Sequence, residues 1–273
     1  MIPPVVSVEW LAHRIGQVRV ADARWYLDGR SGRDAYRAGH IPGAVHVDLD
    51  RGLSGPAGAA GGRHPLPAPA VFAEAMGRAG IADGDTVVAY DDAGGTIAAR
   101  LVWMLRVTGH GAALLDGGLA AWPGALERED AQPARTAFTA RPWPADRLAS
   151  IEDAAARAHV VLDARAPARY RGEGEALDPR AGHIPGAVSL PCRGNLDAGG
   201  RFLPRAVLRR RFEEAGASGA RPVVSYCGSG VTACHNLLAM EYAGLPPGRL
   251  FPGSWSQWSR AAERPVATGD TPG

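Results

Sequence analysis

The sequence predicts an α/β protein built from two tandem domains, each a parallel sheet flanked by helices on both faces. Two observations carry this reading. The first is an internal repeat of very long period. Asp22-Ala23-Arg24 returns as Asp163-Ala164-Arg165, and Ala38-Gly39-His40-Ile41-Pro42-Gly43-Ala44-Val45 returns intact as Ala181-Gly182-His183-Ile184-Pro185-Gly186-Ala187-Val188. Val87-Val88-Ala89-Tyr90-Asp91 answers Val223-Val224-Ser225-Tyr226-Cys227, and Trp122 answers Trp258. A period this large duplicates whole domains, because a solenoid unit is much shorter. The second observation is that short β-branched runs alternate with helical patterns in each copy, as parallel strands joined by crossover helices require.

The first copy takes residues 1–123. Its strands are expected at Val18 to Asp22, Ala44 to Val47, Thr86 to Tyr90 and Ala113 to Leu115. Helices are expected at Ser7 to Ile15, Pro69 to Ala79 and Thr96 to Thr108, with Gly80 and Gly109 as natural stops. Residues 124–150 contain Pro133, Pro142 and Pro144 with mixed charge and no continuous periodicity, and read as a linker. The second copy takes 151–273. Its expected strands are Val160 to Asp163, Ala187 to Leu190, Pro222 to Tyr226 and Arg249 to Phe251, and its expected helices Ile151 to Ala158, Pro204 to Glu214 and Val231 to Ala243. Ligand sites in open α/β sheets lie at the carboxyl ends of strands and pockets favour domain interfaces, so a cleft between the copies is the expected site.

Composition removes several classes of function. A chain of 273 residues with 46% hydrophobic residues suits one large domain or two ordinary ones, each with a real core. Lys is absent, the formal net charge is +2, and no run of Arg forms a stripe that would track phosphates, so nucleic acid is not expected as a partner. Cys192, Cys227 and Cys234 make neither a disulfide framework nor a Cys-X-X-Cys metal pattern, which points to a reducing compartment and to no metal. Met1-Ile2-Pro3-Pro4-Val5-Val6 lacks the basic and apolar regions of a signal peptide, and no stretch is apolar enough to span a bilayer. A cytoplasmic protein without membrane contact is expected.

The stretch richest in chemistry is Ser225-Tyr226-Cys227-Gly228-Ser229-Gly230-Val231-Thr232-Ala233. It joins a buried-strand composition to an apolar segment of helical length, which places Cys227 at a strand-to-helix turn. Gly228 and Gly230 permit a tight loop with inward-pointing N–H groups, and the helix behind adds the positive end of its dipole. Such a cup stabilises an anion, whether a thiolate or a persulfide. A buried structural cysteine is the competing reading. A phosphatase-type loop is a third, but it needs an Arg to fork onto phosphate at its end, where this chain has Ala233.

Cys-Gly-Ser-Gly-Val-Thr-Ala after an apolar strand resembles the active loop of the rhodanese superfamily, in the form typical of its 3-mercaptopyruvate sulfurtransferases. Gly253-Ser254-Trp255, Trp258 and Gly39-His40-Ile41-Pro42-Gly43-Ala44 extend the resemblance over nearly the whole chain. It implies two rhodanese-like domains and a sulfane sulfur carried on Cys227, passed from 3-mercaptopyruvate to a thiol such as thioredoxin or glutathione, or to cyanide, with no cofactor. It also implies that Arg169 and Arg180 grip the donor carboxylate and keto oxygen, and that Gly228, Gly230, Val231 and Thr232 form the substrate-binding loop. Ser229, His64 and Asp50 match a serine-protease-like relay. Read without the resemblance, Arg169 and Arg180 are surface arginines, and His64 and Asp50 a loop His and an exposed Asp.

Two alternatives stay beside this. Thiosulfate sulfurtransferases resemble one another in carrying cationic residues directly after the cysteine, where this chain has neutral Gly228 and Ser229, so a monoanionic donor is expected instead. A non-catalytic rhodanese-like sulfur-relay or binding module is the other. The first copy has Asp91 in place of Cys227, and a carboxylate cannot carry transferable sulfur, so that copy is expected to be catalytically silent; the second acid of a phospho-acceptor site is missing, its place taken by Ala93. His40 and His183 recur in both copies and are read as structural, satisfied by backbone hydrogen bonds, as are Asp22 and Asp163. Cys234 is expected in the core, Cys192 exposed and oxidisable, and Trp255 and Trp258 in the last turn or lining the cleft.

Overall fold

Strand order and connection confirm the α/β reading in a computed structural model that describes residues 2–273. In the first sheet β1 (Val5–Val6), β2 (Arg19–Asp22), β3 (Val45–His46), β4 (Val87–Tyr90) and β5 (Ala112–Leu115) lie in the order β1-β5-β4-β2-β3. All pairings are parallel, with Ala21 opposite Ala89 and Val87 opposite Ala112. Around it run α1 (Val8–Ala12), α2 (Gly32–Ala38), α3 (Leu49–Gly52), α4 (Pro69–Arg78) and α5 (Ala98–Val107). The second sheet has β6 (Val160–Asp163), β7 (Val188–Ser189), β8 (Val223–Tyr226) and β9 (Arg249–Leu250) in the order β7-β6-β8-β9, also parallel. Its helices are α6 (Ile151–Ala155), α7 (Pro167–Arg171), α8 (Arg205–Glu214), α9 (Ala233–Tyr242) and α10 (Ser254–Trp258).

The chain divides into two compact units. One comprises Met1–Gly55, Pro67–Trp143 and Ala198–Phe202; the other comprises Pro56–Leu66, Pro144–Asp197 and Leu203–Gly273. Each is organised by one central strand with no exposed residue, β4 in one and β8 in the other, and by the helix that follows. α5 buries every residue from Ala98 to Leu105 and α9 every residue from Ala233 to Met240, so these are helices enclosed on all sides. Among the described residues no helix is long and apolar enough to cross a membrane.

The repeated sequence folds into repeated hydrogen bonds. Arg24 forks onto Asp22 and Arg165 onto Asp163, with the shortest bond 2.6 Å in each copy, and each guanidinium also reaches a glycine carbonyl, Gly39 O or Gly182 O. These buried pairs hold the start of the Gly-His-Ile-Pro-Gly turn against the strand. His40 and His183 stack on Tyr36 and Tyr170 and set Nδ1 2.9 and 2.8 Å from their carbonyls, the structural role expected of them.

Several boundaries differ from expectation. The first helix ends at Ala12 instead of Ile15, and α6 ends at Ala155 because Ala156 is extended. Strand ends at Ala187, Leu190 and Phe251 fall outside the ladder. Four short helices, α2, α3, α7 and α10, were not expected, since four to seven residues are too few to display a 3.6-residue period. Cys192 is buried, not exposed, and burial pushes its thiol up to about 12.

Candidate active site

Cys227 follows the last residue of β8, and the loop it opens is pinned from both ends. Its N–H donates to Ser254 Oγ at 3.1 Å, while its carbonyl and that of Gly228 accept the N–H groups of Trp255 (3.0 Å) and Ser256 (2.8 Å). Ser254 Oγ in turn donates to Phe251 O at 2.9 Å. Ser254 adopts φ 51°, a left-handed conformation that costs a non-glycine residue about 1–2 kcal/mol. It is held there by these two bonds.

The loop then turns an amide back on the sulfur. Gly230 N donates to Cys227 Sγ at 3.1 Å. Gly230 has φ 78°, and a Cβ on it would overlap Pro252 O, so only glycine can aim this amide. Val231 and Thr232 carry the loop into the first turn of α9, where Val231 O accepts from Cys234 N and Thr232 O from His235 N. The cysteine is 2% exposed, and Cys234 is buried behind it with its thiol toward Gly230 O at 3.4 Å. The sulfur is thus shielded from bulk water with an amide directed at it.

The equivalent loop of the other unit shows what this backbone shape favours. Asp91 occupies the position of Cys227, is 1% exposed, and is gripped by four amides: Oδ1 accepts from Ala93 (2.8 Å) and Gly95 (2.7 Å), Oδ2 from Ile97 (2.7 Å) and Ala98 (2.9 Å). Burial pushes this carboxyl up, against the opposing pull of the amides. The strand–loop–helix unit of this fold turns backbone amides onto the group at this position, a carboxyl in one copy and sulfur in the other.

Around Cys227 the second unit gathers a hydroxyl, an imidazole and two guanidiniums. Ser229 Oγ and His64 Nδ1 lie 2.8 Å apart, an arrangement able to pass a proton in either direction. Asp50 lies on α3 of the first unit, where its Oδ2 accepts from Trp25 Nε1 at 2.9 Å. Arg169, on α7, forks onto Glu175 with bonds of 2.9–3.1 Å and reaches Asp178 Oδ2 at 3.1 Å. Glu175 is held below its usual range: burial pushes it up, but the Leu177 amide and the Arg169 and Arg165 guanidiniums outweigh this.

The structure places Arg180 elsewhere. Its guanidinium donates to four backbone carbonyls, those of Ser259 (2.8 Å), Arg264 (2.7 Å), Trp258 (2.9 Å) and Ala261 (2.6 Å). There it clamps the turn after α10. A different arginine stands by the loop. A Cβ built on Gly228 would meet Arg169 Nη1 at 3.1 Å and Arg63 Nη2 at 3.2 Å, and Arg63 is ion-paired with Asp178 Oδ1. Sequence reasoning missed Arg63, Glu175, Asp178 and Ser254. The signal available was the pair of acids at 175 and 178 between two basic positions, matched by the basic residue before His64.

Trp255 and Trp258 are buried in the second core, with indole N–H groups on Arg180 O and Pro265 O, so they anchor the last turn. Among the described residues no group of three or more His, Cys, Asp or Glu stands where it could hold a metal ion.

Comparison with known proteins adds the following. The family model for the rhodanese-like domain matches twice, over residues 7–125 and 145–261. A probable 3-mercaptopyruvate sulfurtransferase of Pseudomonas aeruginosa is 44% identical, with 97% of this chain and 98% of that protein covered. A putative thiosulfate sulfurtransferase of Mycobacterium tuberculosis is 39% identical over 92% of this chain and 91% of that one. Among solved structures, SseA of Escherichia coli superposes with a TM-score of 0.81 at 32% identity, covering 93% of this chain and all of the other.

Proposed function

This chain belongs to the rhodanese family, and from that premise we propose that it is a sulfurtransferase that takes sulfur from 3-mercaptopyruvate onto Cys227 and passes it to a thiol acceptor. The observation that carries the reading is the Gly230 amide directed at Cys227 Sγ at the foot of α9, in a loop whose twin holds a carboxylate by four amides.

In the first step Cys227 thiolate attacks the donor sulfur. An S–S bond forms, the donor C–S bond breaks, and the electron pair stays on carbon as the enolate of pyruvate. The proton of the donor thiol is the one this carbon takes up, through Ser229 and His64, so that thiolate and mercaptopyruvate become Cys227 persulfide anion and pyruvate with nothing left over. In the second step an acceptor thiolate such as that of thioredoxin or glutathione, or cyanide, attacks the outer sulfur and Cys227 leaves as thiolate. The amide that faces Sγ stabilises the sulfur as an anion at the start and end of the cycle. Asp50 is the third member of the relay that the family resemblance implies, and an Asp50→Asn variant with wild-type kcat removes it from the scheme.

Neutral Gly228 and Ser229 favour the monoanionic mercaptopyruvate over thiosulfate, and the higher kcat/KM is expected for mercaptopyruvate. Intact-mass measurement after exposure to donor tests the proposal. Wild type should gain one sulfur atom, lost again on adding thiol, and Cys227→Ser should gain none. A wild type without an adduct would make the chain a rhodanese-like binding module.

A further inference from the structure

We propose that Arg63 is the partner of Arg169 in gripping the donor carboxylate, and that Asp178 is the residue that positions both guanidiniums. The inference deepens the sulfurtransferase reading and rests on it.

Position is the first ground. Arg169 Nη1 and Arg63 Nη2 stand 3.1 and 3.2 Å from one and the same point, the place where a side chain on Gly228 would begin. That point adjoins the residue after the nucleophile. Both guanidiniums therefore border the bare face of Gly228 with the nitrogens that Asp178 does not use, and two such forks side by side suit a carboxylate.

Orientation is the second. The side chain of Asp178 is fully buried and splits its two oxygens between the arginines, Oδ1 to Arg63 Nη1 and Oδ2 to Arg169 Nη2 at 3.1 Å. Arg63 Nη1 also donates to Leu177 O at 3.3 Å, and the backbone N of Arg63 donates to Ser256 Oγ at 3.0 Å, so the residue is tied to the Cys227 surroundings at both ends. Availability is the third. Arg63 Nε is buried and makes no hydrogen bond, whereas Arg180 spends its guanidinium on four carbonyls.

The charge balance then defines the donor. Arg63 and Arg169 face Glu175 and Asp178, so the cluster is neutral before anything binds. A neutral cluster gives a dianion little advantage over a monoanion. It selects by the direction of its N–H groups, which suits a planar carboxylate with a neighbouring keto oxygen better than a tetrahedral dianion.

Arg63→Ala should raise KM for mercaptopyruvate about 10- to 100-fold, the usual worth of a hydrogen bond to a charged group. Its melting temperature should stay near wild type, and Cys227 persulfide should still form at saturating donor. Guanidinium chloride at low millimolar concentration should recover part of the loss, which a merely structural role would not show. Arg180→Ala should do the opposite, lowering the melting temperature and leaving KM alone. If Ala at 63 loosens the fold, Arg63→Met, which keeps the apolar stem, is read by the same criteria. Asp178→Asn, which adds one positive charge to the cluster, should narrow the preference for mercaptopyruvate over thiosulfate. A wild-type KM in both Arg63 variants, or a KM that rises in Arg180→Ala instead, overturns the inference while leaving the sulfurtransferase reading intact. Failure of wild type to form a persulfide overturns that reading itself.

Discussion

Asp91→Asn is the perturbation that bears most directly on why this loop holds sulfur. The substitution keeps shape and volume but replaces one oxygen by an NH2 group. Oδ1 and Oδ2 each accept two amides, so in either orientation of the new side chain two buried N–H groups lose their acceptor and face a donor. A buried donor left without a partner costs about 1–3 kcal/mol, which gives about 2–6 kcal/mol for the pair. For a unit of this size each kcal/mol moves the melting temperature by about 3–4 °C, so the first unit should melt about 6–24 °C lower. Differential scanning calorimetry at neutral pH reads this directly. The pH dependence has a definite sign. Burial raises the folded-state value above the ordinary 3.8, so the contribution of wild-type Asp91 is fullest below that value and declines as pH rises through it. The gap between wild type and variant should therefore narrow as pH increases. A variant that melts with wild type at every pH would mean that the four amides do not depend on the carboxyl oxygens as acceptors, and the argument from the twin loop to Cys227 would fall with it.

The other predictions concern the catalytic unit and the acid limb. Ser254→Ala removes the acceptor of the buried Cys227 N–H, at a cost of about 1–3 kcal/mol, and should lower kcat through a misplaced sulfur while KM for mercaptopyruvate holds; equal kcat would refute the role given to this hydroxyl. Gly230→Ala forces a side chain into Pro252 O at a left-handed φ, and mass spectrometry should find persulfide yield on Cys227 nearly abolished. Asp83 is held at about 2, chiefly by the Thr139 hydroxyl and amide, so its contribution to stability is present above 3.8 and is lost as pH falls towards 2. Asp83→Asn should lower the melting temperature at neutral pH and flatten its profile across that interval, so that variant and wild type converge near pH 2. Burial keeps Cys192 protonated, so alkylation of folded protein at mildly alkaline pH, mapped by peptide mass, should spare it.

Periodicity and repetition made most of the framework legible. The strand Val160 to Asp163 agrees with expectation to the residue, and β4, β8, α4 and α9 to within two, because the strands and α9 are continuous buried runs and α4 is an amphipathic run that starts at Pro69 and stops before Gly80. The repeat also separated structural from chemical residues: His40 and His183 do the same work in both copies, whereas Asp91 and Cys227 differ. Short helices escaped because a single turn has no period. The arginines were the harder case. Arg180 and Arg169 look alike as letters in a polar segment, and only the fold reveals that four carbonyls after α10 converge on one and none on the other. Arg63 lies more than a hundred positions from its carboxylate, Asp178, and a pairing across that separation leaves no mark on local pattern.

The bonds from Trp255, Ser256 and Ser254 to the backbone of Cys227 and Gly228 bear on biosynthesis. A polypeptide still growing on the ribosome reaches its reactive sulfur well before it reaches the stretch that shapes the surroundings of that sulfur. Chemistry is thereby deferred until that later stretch has been made, and a nascent chain that stops short of it carries an ordinary thiol instead of a working one.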